Sequence, residues 1–472
     1  MKMMDWILDR TNPIMLRESR ELVRSRFAVG IMMTFLLVIL LVSSIFVIVT
    51  ANTNKGFSLG KTLFQICFSL LAYTTILFIP AYTAFPFLKQ TRKNGLDLLF
   101  MSTIKPRSII LGKMISAFWM LVLLFSVSMP FLFFTTFLRG VGLSEVFTSL
   151  FVLMITVLLV TMGCLILVCL PTSLVFTSLL ALGYFLFLFM ISGVISSFLA
   201  FSHFDFGHVM LGVGLGGLLF LPIGGALATY LISPAVSNRA FPLRLTLTIC
   251  WVISGIVAAI ADVMVTKSRM SDFIILWAVW SLFFIIFTVL FCNSEPSVLT
   301  PRVQRSIPKR VFFRWLVFPF FTGPVSAWVW CLIVGITSAT FIPADSEIQR
   351  GLFAALFYAF LYSLMAVTIR RIPFFRRFIR EKYTWFIAFF LLVLGALLPF
   401  IMNFILYPDE DLEALWHLGN IFDIMNDDQA IVTDHLLFSI ILSGLFVLIN
   451  VGWIFRQIAA FRPLVTSTKV EE

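Results

Sequence analysis

Long apolar runs separated by short polar stretches dominate the chain. A helix needs about 20 apolar residues to cross the hydrocarbon of a bilayer, and runs of that kind cover residues 27–50, 63–88, 109–138, 146–170 and 174–200. Seven more follow at 209–233, 245–266, 273–292, 325–343, 352–369, 384–407 and 435–455. Several Gly and Pro sit within these runs, and none shows the period-two alternation of a half-buried strand. The pattern predicts an all-α, polytopic transmembrane bundle of about 12 spans.

The polar breaks give the bundle a direction. Short cytoplasmic loops retain Lys and Arg. Beginning with the N-terminus inside, most of the chain's 34 Lys and Arg fall on one side: the N-terminal segment with Arg17, Arg20, Arg24 and Arg26, the loop around Lys89, Arg92 and Lys105, and the stretches around Arg239 and Arg244, Lys309 and Arg310, and Arg370 to Lys382, as well as the C-terminus. Lys113 marks the inner end of the third run. The other side holds Lys55, Lys61, Arg139, Lys267, Arg269 and Arg350. Both termini are therefore expected in the cytoplasm, and no cleavable signal peptide is expected, because the first apolar run follows 26 charged and mixed residues.

Composition strengthens this picture. Hydrophobic residues make up 60% of the chain and charged ones 12%, and the mean hydropathy of +1.05 is far above what a water-soluble domain of this length carries. Among the aromatics, 55 are Phe against 11 Trp and 8 Tyr, which suits lipid contact and packing better than base stacking, so no nucleic-acid partner is expected. The net charge of +11 reads as orientation, with anionic lipid contact as a by-product. The six cysteines lie in or beside apolar runs without the paired spacing of zinc or redox sites.

Candidate chemistry is sparse. Gly56-Phe-Ser-Leu-Gly60-Lys61-Thr62 imitates a phosphate loop, yet only three residues separate its glycines where four are needed. Asp262, one turn before Lys267, fits an interfacial pair as well as an ion relay, and Arg139 and Glu145 flank a short turn in the same way. The acidic stretch 408–434 and the trio His203, Asp205 and His208 read as solvated loops before they read as metal sites. No catalytic, cofactor-binding or metal-binding residue is assigned, and the chain is expected not to be an enzyme.

Two polar segments are more informative. Asn12-Pro13 is a good helix start, with a capping side chain and a fixed φ at the first helical position. From there Ile14, Met15, Leu22, Val23 and Phe27 can line one side of a helix while Arg17, Glu18, Arg20, Glu21 and Arg24 stay wet, as an interfacial helix requires. In the second loop, 89–107, the turn-forming Lys89 to Gly95 precedes Leu96-Asp97-Leu98-Leu99-Phe100-Met101-Ser102-Thr103, an amphipathic stretch stopped by Pro106. A short helix of that kind at a membrane face is a docking element for a cytosolic protein.

These residues resemble the permease subunits of type 2 ATP-binding-cassette exporters. The resemblance is carried by Asn12-Pro-Ile-Met-Leu-Arg17-Glu18 before the first span, and by Gly95-Leu-Asp97-Leu-Leu99, Ser102-Thr103 and Ile110-Leu-Gly112-Lys113. It covers roughly residues 12–233. The chain departs from the family pattern before Leu96, where Gln90, Arg92, Asn94 and Gly95 stand in place of glutamates and a Gly-Thr pair. The resemblance implies an interfacial connecting helix at 1–26, a six-span permease module at 27–233 and an ATPase-docking element at Gly95, Leu96, Asp97, Leu98, Leu99, Ser102 and Thr103. ATP and Mg would be handled by a separate ATPase subunit, and a second permease chain would complete the transporter in a bacterial cytoplasmic membrane.

The sixth run carries Gly212 and Gly216 at a spacing that lets helices approach closely, within one chain or at a dimer seam. Residues 234–323 hold two further spans and the basic, Pro-rich loop 293–323, the expected seam between two helix groups. Residues 324–472 form a four-span group with the acidic external loop 408–434. The second half does not repeat the Leu-Asp-Leu-Leu run. An ion-coupled secondary carrier and a membrane-embedded glycan- or lipid-handling protein are the rival readings.

Overall fold

A computed structural model describes residues 17–18, 20–21, 24–51, 59–92, 105–138, 141–170, 174–201, 206–234, 236–265, 272–342, 347–378, 381–406 and 429–464. Asn12, Pro13, the whole of 95–103, His203, Asp205 and most of 408–434 lie outside them. The described chain is helical throughout, and it divides into two compact units, Met1–Ser233 and Pro234–Glu472. Among the described residues each unit holds six long helices.

In the first unit these are α1 (Arg26–Ala51), α2 (Leu59–Arg92), α3 (Pro106–Phe137), α4 (Leu143–Cys169), α5 (Leu174–Phe201) and α6 (Phe206–Ile232). α2 is the hub, packed against α1, α3, α4 and α5, while α6 lies on α4 and α3. The core is a stack of Phe35, Leu71, Ile76, Met120, Leu124, Leu153 and their neighbours. Lipid is as apolar as leucine, so close shape matching holds such helices together more than the hydrophobic effect does. α6 closes on α4 where Gly217 and Gly224 leave room for Ile155 and Met162; a Cβ at either glycine would stand 2.5 Å from the facing side chain. Small hydroxyl side chains are satisfied along their own helices, as when Thr75 donates to the Leu71 carbonyl (2.8 Å) and Thr161 to that of Val157 (2.7 Å). No water is available at such depths to do so.

The second unit contains α7 (Ala240–Val265), α8 (Asp272–Cys292), two short helices α9 (Pro301–Arg305) and α10 (Val311–Val317), then α11 (Pro324–Thr340), α12 (Glu347–Arg371), the short α13 (Pro373–Phe378), α14 (Thr384–Leu406) and α15 (Gln429–Ala460). α12 is central: it packs on α8, α11, α14 and α15, and 67% of its most apolar window is buried. α10 and the turn that follows it meet α11 at 86°. Residues 293–323, expected to be a seam between helix groups, lie wholly inside this unit.

Nine of these helices are long and apolar enough to cross a membrane, or ten when the bent pair α10–α11 is taken as one span. α8 and α14 add shorter apolar stretches at Phe273–Leu282 and Thr384–Gly395. The chain is a multi-pass integral membrane protein.

Candidate functional site

At the end of the first unit where α1 and α3 begin, the described residues of the charged N-terminal segment are helical up to Arg24. Ser25 then accepts the Ala28 N–H at its Oγ (3.3 Å), and α1 starts. Arg17 and Glu21 pair along the exposed face of that segment at 2.8 Å, and this contact holds the Arg17 guanidinium above its ordinary pKa, chiefly through the hydrogen bond to Glu21.

Glu18 turns the other way. Its carboxylate meets the Lys113 ammonium at 2.6 Å, with the two side chains 14% and 4% exposed. Lys113 stands two turns into α3, on the face it shares with Ile109, Ile110, Ser116 and Ala117. An ammonium so deep needs a counter-charge, because desolvation without a partner costs several kcal/mol. Glu18 supplies it from the segment before the first span. Phe27, in the first turn of α1, stacks on Tyr82 of α2, rings 6.2 Å apart and 6° from parallel, so the entry segment is fastened to α3 and the start of α1 to α2.

Arg17 and Glu18 are thus placed, while Asn12, Pro13 and the docking residues Gly95 to Thr103 fall outside the described residues. Gly212 and Gly216 face open space, with no atom within 4 Å of an added Cβ; the close approach in α6 is one residue and two turns further on. Glu145 accepts the Gly142 N–H at 3.3 Å and so caps α4, where a carboxylate also suits the positive helix end. Gly60 and Lys61 begin α2 as helix residues, and a Cβ at Gly60 would stand 3.0 Å from the Thr135 carbonyl. Among the described residues no group of His, Cys, Asp and Glu is arranged to hold a metal ion.

Among the described residues, the second unit contains a buried polar cluster built around Arg244 and Glu295. The sequence pattern starts the seventh span at Leu245 and leaves Arg244 in a loop; α7 instead begins at Ala240, and Arg244 is fully buried inside it. Its Nη2 donates to Glu295 at 2.7 Å, both side chains 1% exposed. Its Nη1 donates to the carbonyls of Pro319 (2.9 Å) and Phe321 (2.5 Å) and to Ser326 Oγ (3.1 Å). Glu295 in turn accepts the Gly323 N–H at 2.6 Å, and Gly323 holds φ +148°, a conformation that favours glycine. Two charges therefore clamp the ends of α7, α8 and α11 together. Nearby, Asn293 Oδ1 accepts from Ser363 Oγ at 2.6 Å, and the Trp328 indole N–H donates to the same hydroxyl at 2.6 Å. Tyr358 Oη, midway along α12, and His435 Nδ1 are 2.9 Å apart, both buried, and Arg350, in the first turn of α12, donates to Thr433 Oγ1 at 3.2 Å.

Sequence reasoning missed Arg244 and Glu295 as interior groups, and it placed His435 at the start of the twelfth run without singling it out. For Arg244 a signal exists, a lone charge flanked by Leu243 and Leu245. Glu295 sits between polar neighbours and offers none.

No family model, curated protein or solved structure matches the chain.

Proposed function

We propose that this protein is the permease subunit of an ATP-binding-cassette exporter of the type 2 class, moving its substrate out across a bacterial cytoplasmic membrane. Twelve spans, with both termini in the cytoplasm, form the transmembrane part. A separate ATPase subunit binds Mg-ATP and docks on Gly95 to Thr103, and a second permease chain completes the pathway.

The observation that carries this reading is the buried Glu18–Lys113 pair. α3 begins at Pro106, immediately after the docking stretch, so a push on 95–103 enters α3 first. The pair then hands that displacement to the segment leading into α1, and two spans move as one body. A largely buried charge pair suits this purpose, since separating its members is costly. Access alternates as paired modules tilt under closure of the ATPases.

The test is co-purification from native membranes under a C-terminal tag. A stoichiometric soluble ATPase is expected with the native chain and is expected to be lost on L98D/L99D, with membrane insertion retained. Unchanged association in that variant overturns the docking assignment. A second reading, an ion-coupled carrier, draws on the buried Tyr358–His435 contact. Transport that collapses with the ion gradient and persists without the ATPase would favour it.

A further inference from the structure

Helix α10 is not built like a loop helix. Its sequence, Val-Phe-Phe-Arg-Trp-Leu-Val, presents Val311, Phe312, Phe313, Trp315 and Leu316 to the outside, and Lys309 and Arg310 precede it. It runs nearly at right angles to α11, a 17-residue apolar helix. A short helix perpendicular to a span, with aromatic and aliphatic side chains outward and basic ones at its edge, lies in the plane of the membrane interface.

Between α10 and the C-terminal end of α15 is an open cleft of about 210 Å³. Trp315, Phe318, Ile458 and Phe461 form its apolar wall, and Arg314 and Arg462 line it as well. No acidic side chain is among its described lining residues. Phe461 is fixed by edge contacts with Phe318 (5.1 Å) and Phe321 (5.2 Å), so the wall is firm. Arg314 donates one Nη2 bond to the Lys309 carbonyl at 3.1 Å, and its Nε is buried without a hydrogen-bond partner. Two guanidinium groups lining one apolar groove form the arrangement that takes a phosphodiester: basic donors for the phosphate oxygens and a dry wall for the acyl chain.

We propose that this cleft binds an anionic phospholipid, its phosphate between Arg314 and Arg462 and its first acyl carbons along Trp315, Phe318 and Ile458. The proposal needs only that the chain lies in a membrane, and it is independent of the permease reading. The bound lipid anchors α10 to the end of α15 and covers an apolar groove that would otherwise face the headgroups.

Native mass spectrometry of the full chain, loaded from mixed micelles of phosphatidylglycerol and phosphatidylcholine, reads the site directly. Selective retention of phosphatidylglycerol is expected. R314Q/R462Q is expected to lower it about thirtyfold, the effect of two basic side chains on anionic lipid, while R302Q, a basic residue of α9 outside the cleft, leaves it unchanged. A459W fills the groove and keeps both charges, so it is expected to lower retention too, and it decides the matter if the double variant does not fold. Equal retention of phosphatidylcholine overturns the proposal, as does equal loss in R302Q. Displacement by inorganic phosphate as effective as by phosphatidylglycerol would mean a free-anion site and also overturns it. So does crosslinking of W315C to a second copy or a soluble protein without lipid selectivity.

Discussion

Two buried ion pairs do different work. Arg244–Glu295 is sealed, and its hydrogen bonds reach four carbonyl or hydroxyl oxygens and one backbone N–H. R244M leaves Glu295 charged in a dry site and frees the turn at Gly323, so a loss of about 3–5 kcal/mol in unfolding free energy is expected, measured by denaturant titration in detergent. Adding E295M should recover a large part, because two apolar side chains replace the pair without an orphan charge. A double variant no better than the single one would mean that the pair's worth lies in the carbonyls it gathers. Glu18–Lys113 is nearer the surface. E18Q is expected to loosen the entry segment and quicken tryptic cleavage at Arg17, Arg20 and Arg24 without unfolding the bundle. R17A, which removes an exposed pair worth about 0.3–0.5 kcal/mol, is the comparison and should leave cleavage elsewhere unchanged. Residue chemistry at this scale was only partly legible in the sequence. Lys113 stood out as a charge at the mouth of an apolar run, and Glu18 as part of a motif, yet their meeting joins segments far apart in the chain. Arg244 and Glu295 likewise find each other only once α7 and α8 are packed side by side.

Element positions were more legible, for a simple reason: a run of apolar residues ends where the first polar group breaks it. The spans expected from Phe27 and Val325 begin at Arg26 and Pro324, and that expected from Leu174 begins there. The misses have the same origin. Arg244 broke the pattern and hid the first turn of α7, and Arg314 together with Pro308 and Pro319 disguised α10 as linker, although Val311 to Val317 is apolar at six of its seven positions. Glycine spacing misled in another way. Gly212 and Gly216 have the expected separation but open space beside them, and the tight contacts belong to Gly217 and Gly224. G224L should therefore destabilise the first unit by about 1–3 kcal/mol through overpacking against Met162, seen as a lower midpoint of thermal unfolding in detergent. G212L should leave that midpoint unmoved. Should G212L instead break a dimer observed by crosslinking, the open glycine face is a seam between two chains.

Across the whole molecule, each unit repeats one rule of charge. In the first, Lys105, Arg107 and Lys113 gather at the end where α1 begins, and Lys61 stands where α2 begins beside the end of α3. In the second, Arg244, Arg370 and Arg371 and the basic run 302–314 lie on elements tied together at one end, and Arg350 is bonded near the other. On the proposed topology of six spans in each unit, the chain would return to the end from which it set out, and the basic ends would carry the entry and exit of each unit. Under that topology, retention of Lys and Arg on the cytoplasmic side would orient each unit by its own charges. In a background lacking the six native cysteines, Arg107→Cys and Arg302→Cys are expected to react with an impermeant maleimide only in inside-out vesicles, and Lys61→Cys only in intact cells. Labelling of both arginine positions from outside would invert the protein and take the segment 95–103 away from any cytosolic ATPase. Labelling of Arg107→Cys and Arg302→Cys from opposite sides would mean an odd number of crossings between them, and one of the helices α3 to α8 would then lie outside the bilayer or re-enter it.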